Sequence, residues 1–137
     1  MDISIIIFLL GGLFLGWSLG ANDAANVFGT AVGTRMVRFK TAAIVCSIFV
    51  ILGAIISGSG TTETLGKLGA INALPGAFAA CVAAGLSVYL MTKAGLPVST
   101  TQAIVGAIVG WNLYTGSDTN IRVLITILGT WGLCPII

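Results

Sequence analysis

Residues 3–20 read ISIIIFLLGGLFLGWSLG, an apolar run without a charged side chain. Comparable runs recur at 41–58, at 74–92 and from 121 to Ile137, and a shorter one covers 99–111 directly after KAGLP. A helix needs about 20 apolar residues to cross a bilayer. A chain built from segments of this length has lipid as its natural surroundings. The composition agrees: 57% of residues are hydrophobic and 7% charged, whereas soluble domains carry about 25% charged residues. So few charges cannot cover a soluble globule. The expected fold class is an all-α, multi-pass integral membrane protein of the cell membrane.

Several function classes drop out. A net charge of +2 with no basic run gives nucleic acid nothing to bind. Cys46, Cys81 and Cys134 lie in apolar segments at spacings that match no metal motif, and read as small hydrophobes. The chain has no His, which removes His-based metal sites, proton relays and catalytic dyads. No nucleophile–base pair is visible, so an enzyme is not expected. The first segment lacks a basic leader and reads as a retained helix.

The stretches predict helix 1 over 3–34, helix 2 over 41–58, a pair of helices over 74–93 and 99–113, and a final helix over 121–137 that stops without a polar flank. The chain is therefore expected to be part of a longer protein. Arg35, Arg38 and Lys40 cluster between helices 1 and 2. The positive-inside rule puts loop 35–40 in the cytoplasm and the N-terminus outside. Small residues at four-residue spacing (Gly12, Gly16 and Gly20; Gly29 and Gly33; Gly106 and Gly110) predict close helix packing.

Within helix 1 lies GANDAANVFGT, residues 20–30. At about 100° per residue, with Asn22 at zero, Gly33 falls near 20°, Asn26 near 40°, Thr30 near 80° and Asp23 near 100°. One carboxylate, two amides and a hydroxyl thus share a narrow face, while the apolar residues fill the opposite arc. These are hard oxygen donors for a small cation, with amide N–H donors for an anion. Gly20 permits a break in the helix, and broken helices build the sites of secondary transporters. An Asp at the membrane centre costs about 2.5–3.5 kcal/mol on insertion scales. A simple cap at the aqueous boundary would avoid that cost, but explains one polar residue and leaves three.

The second polar cluster is GLPVSTTQAIVG, residues 95–106. Pro97 breaks the preceding helix. Ser99-Thr100-Thr101-Gln102 then fits the S-x-x-Q capping box of a new helix. That helix start offers unpaired N–H groups, a partial positive charge and adjacent hydroxyls, which together suit an anion. Two topologies fit. In one, 74–93 and 99–113 form a re-entrant hairpin with AGLPVS at its tip and Lys93 beside it. In the other, 74–93 spans fully and Lys93 is a cytoplasmic flank. The hairpin keeps NLYTGSDTN on the same side as Glu63, and irregular backbone at depth is tolerated where it lines a cavity.

At these two motifs the chain resembles the inorganic phosphate transporter family. GANDAANVFGTAVGT is similar to the family's GANDVAN-type signature, and PVSTTQAIVGAIVG to its P-[VI]-S-T-T-H type. TTETLG at 61–66 and GTWGLCPII at 129–137 share the family's flavour. The resemblance implies a secondary transporter of two inverted repeats, of which this chain is the first. By the resemblance Asn22, Asp23, Asn26, Ser99, Thr100, Thr101 and Gln102 become site residues, with Glu63 a weaker one; phosphate is expected at Asp23, Asn26, Ser99, Thr100, Thr101 and Gln102, and sodium at Asn22, Asp23, Asn26 and Glu63, joined by Thr30 from the polar face of helix 1. Gln102 stands where many members have His, which favours sodium over proton coupling. Expected partners are inorganic phosphate, co-transported sodium, membrane lipid and the second repeat, with a homodimer left open. Proton-coupled phosphate transport and a passive pore subunit are the alternative readings.

Overall fold

The computed structural model describes residues 3–68, 74–134 and 136. The regular elements are α-helices: α1 Ile3–Gly33, α2 Phe39–Leu68, α3 Leu74–Lys93, α4 Thr100–Thr115 and α5 Ile121–Leu133. Three of them, α1, α2 and α3, are long and apolar enough to cross a membrane. Most of their large apolar side chains face outward, among them Leu13, Val27, Ile55 and Ile56. That inversion of the usual inside-out rule is what lipid surroundings favour. The protein is an all-α, multi-pass membrane protein.

α1 corrects one expectation. It runs as one helix through Gly20, with no break at the polar motif. Glycine allows a break without requiring one. No proline interrupts the ladder, and an apolar medium penalises every unpaired backbone group, so the continuous helix is the better solution. α2 also runs further than its apolar stretch, through SGTTETLGKL to Leu68. The last expected stretch, 121–137, includes Pro135 and Ile137, which lie outside the described residues.

α1 and α3 form the main seam. Phe8 meets Phe78 edge-on at 5.8 Å, Trp17 meets Tyr89 at 5.7 Å, and Asn22 meets Thr92. Contact positions rise together along both helices, so the two are parallel. Their approach depends on small residues. A Cβ at Gly85 would stand 2.9 Å from the Phe14 ring and 3.2 Å from Leu15 Cα, and one at Gly11 would stand 2.7 Å from Phe78. The glycines at four-residue spacing are not the ones used: Gly12, Gly16 and Gly20 have nothing within 4 Å of a built Cβ, and neither do Gly29, Gly33, Gly106 or Gly110. The seam takes Gly11, Ser18 and Asn22, the buried residues of α1.

α3 and α4 are antiparallel. Gly76 near the start of α3 packs under Trp111 near the end of α4, and a core of Ala80, Val105 and Ile108 lies between. Leu65 of α2 and Val123, Leu124, Ile127 and Trp131 of α5 cover that core. The connection, residues 94–99, turns at Gly95 with φ 70°. It meets α1 at Asn22, and α1 continues about 16 Å beyond that level to Gly33, at 1.5 Å per residue. The tip of the hairpin therefore stops well short of the basic loop at Arg35, Arg38 and Lys40.

Candidate functional site

The polar contact between α1 and the hairpin tip centres on Asn22. Its side chain is 4% exposed. Nδ2 donates to the Val98 carbonyl at 3.2 Å and to Asp23 Oδ1 at 3.2 Å, and Oδ1 accepts from the Thr92 hydroxyl at 3.2 Å. Every hydrogen bond ties a different piece: the end of α3, the tip of the hairpin, and the neighbouring carboxylate. A buried amide left without such partners would cost about 1–3 kcal/mol, a cost these bonds remove; Asp23 beside it is exposed.

Val98 immediately precedes Ser99, the N-cap of α4. Ser99 has φ −82° and ψ 114°, and its hydroxyl accepts from Gln102 N at 3.4 Å. This is the forward half of the capping box. Thr100 and Thr101 follow in the first turn, where backbone N–H groups have no intrahelical partner. The start of α4 and the Asp23 carboxylate thus flank one amide nitrogen. A partial positive helix end and a carboxylate, brought this close, suit a cation and an anion side by side.

The remaining expected residues spread out. Asn26 and Thr30 lie further along α1 on the Asn22 side and are exposed, beyond the level of the hairpin tip. Thr101 faces a space of about 250 Å³ with Gly60, Thr64 and Ile127. Gln102 faces a groove of about 550 Å³ between α3 and α4, with Ala83, Ser87 and Gly106. Consecutive helix residues diverge by about 100°. The four residues of STTQ therefore cannot all point at one ligand through their side chains, and they converge only through the backbone at the helix start. Glu63 is exposed on α2 and ion-paired with Lys67 one turn on.

Lys93 also lies at the tip, exposed, with Nζ 6.0 Å from the Tyr89 ring centre. Thr92 is a residue of this contact that its sequence surroundings do not mark. Lone hydroxyls in apolar helices commonly bond their own preceding turn, as Ser47 and Ser87 do here. Only the seam partner distinguishes Thr92. Among the described residues no group of three or more His, Cys, Asp or Glu is placed to hold a metal ion.

Comparison with known proteins adds the family. The model of the phosphate transporter family matches residues 19–137, starting one residue before the GAND motif. A protein of Pyrococcus furiosus named as a phosphate permease is 36% identical over 147 residues, covering 99% of this chain and 35% of the relative. One from Methanocaldococcus jannaschii is 37% identical over 130 residues, covering 94% and 42%. One from Haemophilus influenzae is 33% identical over 138 residues, covering 92% and 33%. The chain spans about a third of the length of most of these relatives. No solved structure matches it. With both polar motifs inside the matched span, the chain belongs to the phosphate transporter family.

Proposed function

We propose that this chain is the first repeat of a secondary transporter that imports inorganic phosphate together with sodium, as an inverted-repeat protein working by alternating access. The observation that carries this reading is the single amide nitrogen of Asn22 shared by Asp23 and the residue before the α4 cap. It sets a carboxylate beside a helix start in a chain that lives in lipid. Membership of the phosphate transporter family supplies the anion.

Phosphate at neutral pH carries one to two negative charges. Two unit charges about 4 Å apart repel by about 4 kcal/mol at an effective dielectric of 20. Phosphate and an ionised Asp23 oppose each other, and a sodium ion beside Asp23 reverses the sign. Cation binding makes the anion site habitable, and that is the coupling. In this reading Asp23 and Asn26, one turn apart, offer oxygens to sodium, while Thr30 lies about 10 Å beyond Asp23 on the unbroken helix and joins them only if α1 bends. Asn22, with its own oxygen engaged by Thr92, holds the carboxylate in place. The start of α4 at Ser99, Thr100 and Thr101 receives phosphate through backbone N–H groups and hydroxyls, with Asp23 and Asn26 on its other side. Gln102 reaches it only by turning away from its groove, and Glu63 joins the sodium set only by leaving Lys67.

The hairpin is re-entrant in this scheme. Its support is the tip level: the first basic residue after the motif is Arg35, beyond the end of α1, while the tip meets α1 at Asn22. The N-terminus then lies outside and loop 35–40 in the cytoplasm.

The test is radiolabelled phosphate uptake by the full-length protein in liposomes under an imposed sodium gradient alone. The reading expects accumulation above equilibrium. Accumulation driven only by a proton gradient would transfer the coupling to protons. Equilibration without accumulation would make the protein a pore.

A further inference from the structure

The Asn22 carboxamide has one workable orientation. The Val98 carbonyl and the Asp23 carboxylate are acceptors only, and both lie 3.2 Å from Nδ2. The NH2 group must face them. Oδ1 then faces Thr92, so the Thr92 hydroxyl must donate, at 3.2 Å. Asn22 is 4% exposed, which leaves water little access to that oxygen.

We infer that Thr92 is a positioning residue for the cation site: by donating to Asn22 Oδ1 it keeps the amide aimed at Asp23 and so keeps the carboxylate at the hairpin tip. The inference rests on the reading of Asp23 as the sodium-linked carboxylate. Thr92 touches neither cargo. It sits in the last turn of α3 and bonds the oxygen end of the amide whose nitrogen end holds Asp23.

The consequence of losing the hydroxyl follows from the same three bonds. In Thr92→Val the shape is kept and the donor is gone. Asn22 Oδ1 is then buried without a partner. Turning the amide over gives no relief, because Oδ1 would face two acceptors. The side chain must leave the seam, and Asp23 loses its N–H partner. The cation then binds a carboxylate that has to be ordered first, so affinity falls while the transport cycle at saturating sodium persists. Thr92→Ser keeps the donor and loses only a methyl group.

Two measurements on the full-length protein test this. The first is phosphate uptake against sodium concentration for wild type, Thr92→Val and Thr92→Ser. The expected result is a half-saturating sodium concentration raised about tenfold in Thr92→Val, on the scale of one lost hydrogen bond. The maximal rate should stay within about twofold, and Thr92→Ser should be close to wild type. An unchanged sodium dependence in Thr92→Val, or an equal loss in Thr92→Ser, overturns the inference.

The second measurement is independent of transport. The side-chain amide of Asn22, observed in protein labelled with 15N-asparagine, should exchange slowly with solvent in wild type and Thr92→Ser and quickly in Thr92→Val. Equal exchange in all three shows that Thr92 does not hold the amide and overturns the inference even if Thr92→Val is inactive. Wild-type uptake indifferent to sodium would instead sink the reading of Asp23, and the exchange rates would still decide whether Thr92 locks Asn22.

Discussion

The side-chain nitrogen of Asn22 reaches the main-chain carbonyl of Val98 across 76 positions of sequence, at 3.2 Å. That bond pins the tip of the α3–α4 hairpin to the middle of α1. It brings together two polar motifs that the chain keeps far apart, in surroundings where polar groups need partners.

Removing the side chain should loosen the tip. Asn22→Ala deletes the bonds to Val98, Asp23 and Thr92 together. A stability loss of about 1–3 kcal/mol is expected. A cysteine placed at Leu96 should become more reactive to a polar thiol reagent than the same cysteine in wild type. Unchanged reactivity would show that the tip is held by packing alone.

The α1–α3 seam should tolerate no bulk at Gly85. Gly85→Val forces a Cβ to 2.9 Å from Phe14 and against the Leu15 backbone. Overpacking of this kind costs about 1–3 kcal/mol, visible as a lower unfolding temperature in detergent. Gly12→Ala, which meets open space, is the control and should not lower that temperature, since Ala favours a helix interior over Gly.

Ser99 separates two roles by one comparison. Ser99→Ala removes the cap of α4 and should cost about 0.5–2 kcal/mol. Ser99→Asp keeps a capping oxygen and adds a negative charge where phosphate is proposed to sit. It should fold like wild type and take up phosphate poorly. Normal phosphate affinity in Ser99→Asp would move the anion away from the start of α4.

Glu63 and Lys67 form an exposed pair on α2. Such pairs contribute little, so Glu63→Gln should leave the sodium dependence of uptake within about twofold of wild type. A large loss would return Glu63 to the sodium ligands.

The sequence announced the membrane helices through run length, and the α4 cap through a local motif in which Ser99 and Gln102 are three residues apart. Local chemistry of that kind is written along the chain. The seam was not. In helices apolar on all faces, periodicity does not say which side packs. Glycine spacing pointed to Gly12, Gly16 and Gly20, whereas the parallel pairing with α3 uses Gly11, Ser18 and Asn22. The helical wheel gathered Asn22, Asn26 and Thr30 on one side of α1. It does not show that, among the described residues, the hairpin tip bonds the side chain of the first of them. The end of α2 is hidden because the apolar run stops at residue 58, while the helix continues through polar residues, among which Glu63 and Lys67 pair across one turn.

In the proposed site the Asp23 carboxylate shares its place with phosphate only when a cation stands between them. The decisive measurement is phosphate binding with and without sodium, in wild type and in Asp23→Asn. Sodium should tighten phosphate binding to wild type by at least about tenfold, reciprocal coupling of roughly 1.4 kcal/mol, and have little effect on Asp23→Asn, where the repulsion is gone. The same sodium effect in both proteins, or none in wild type, would contradict it.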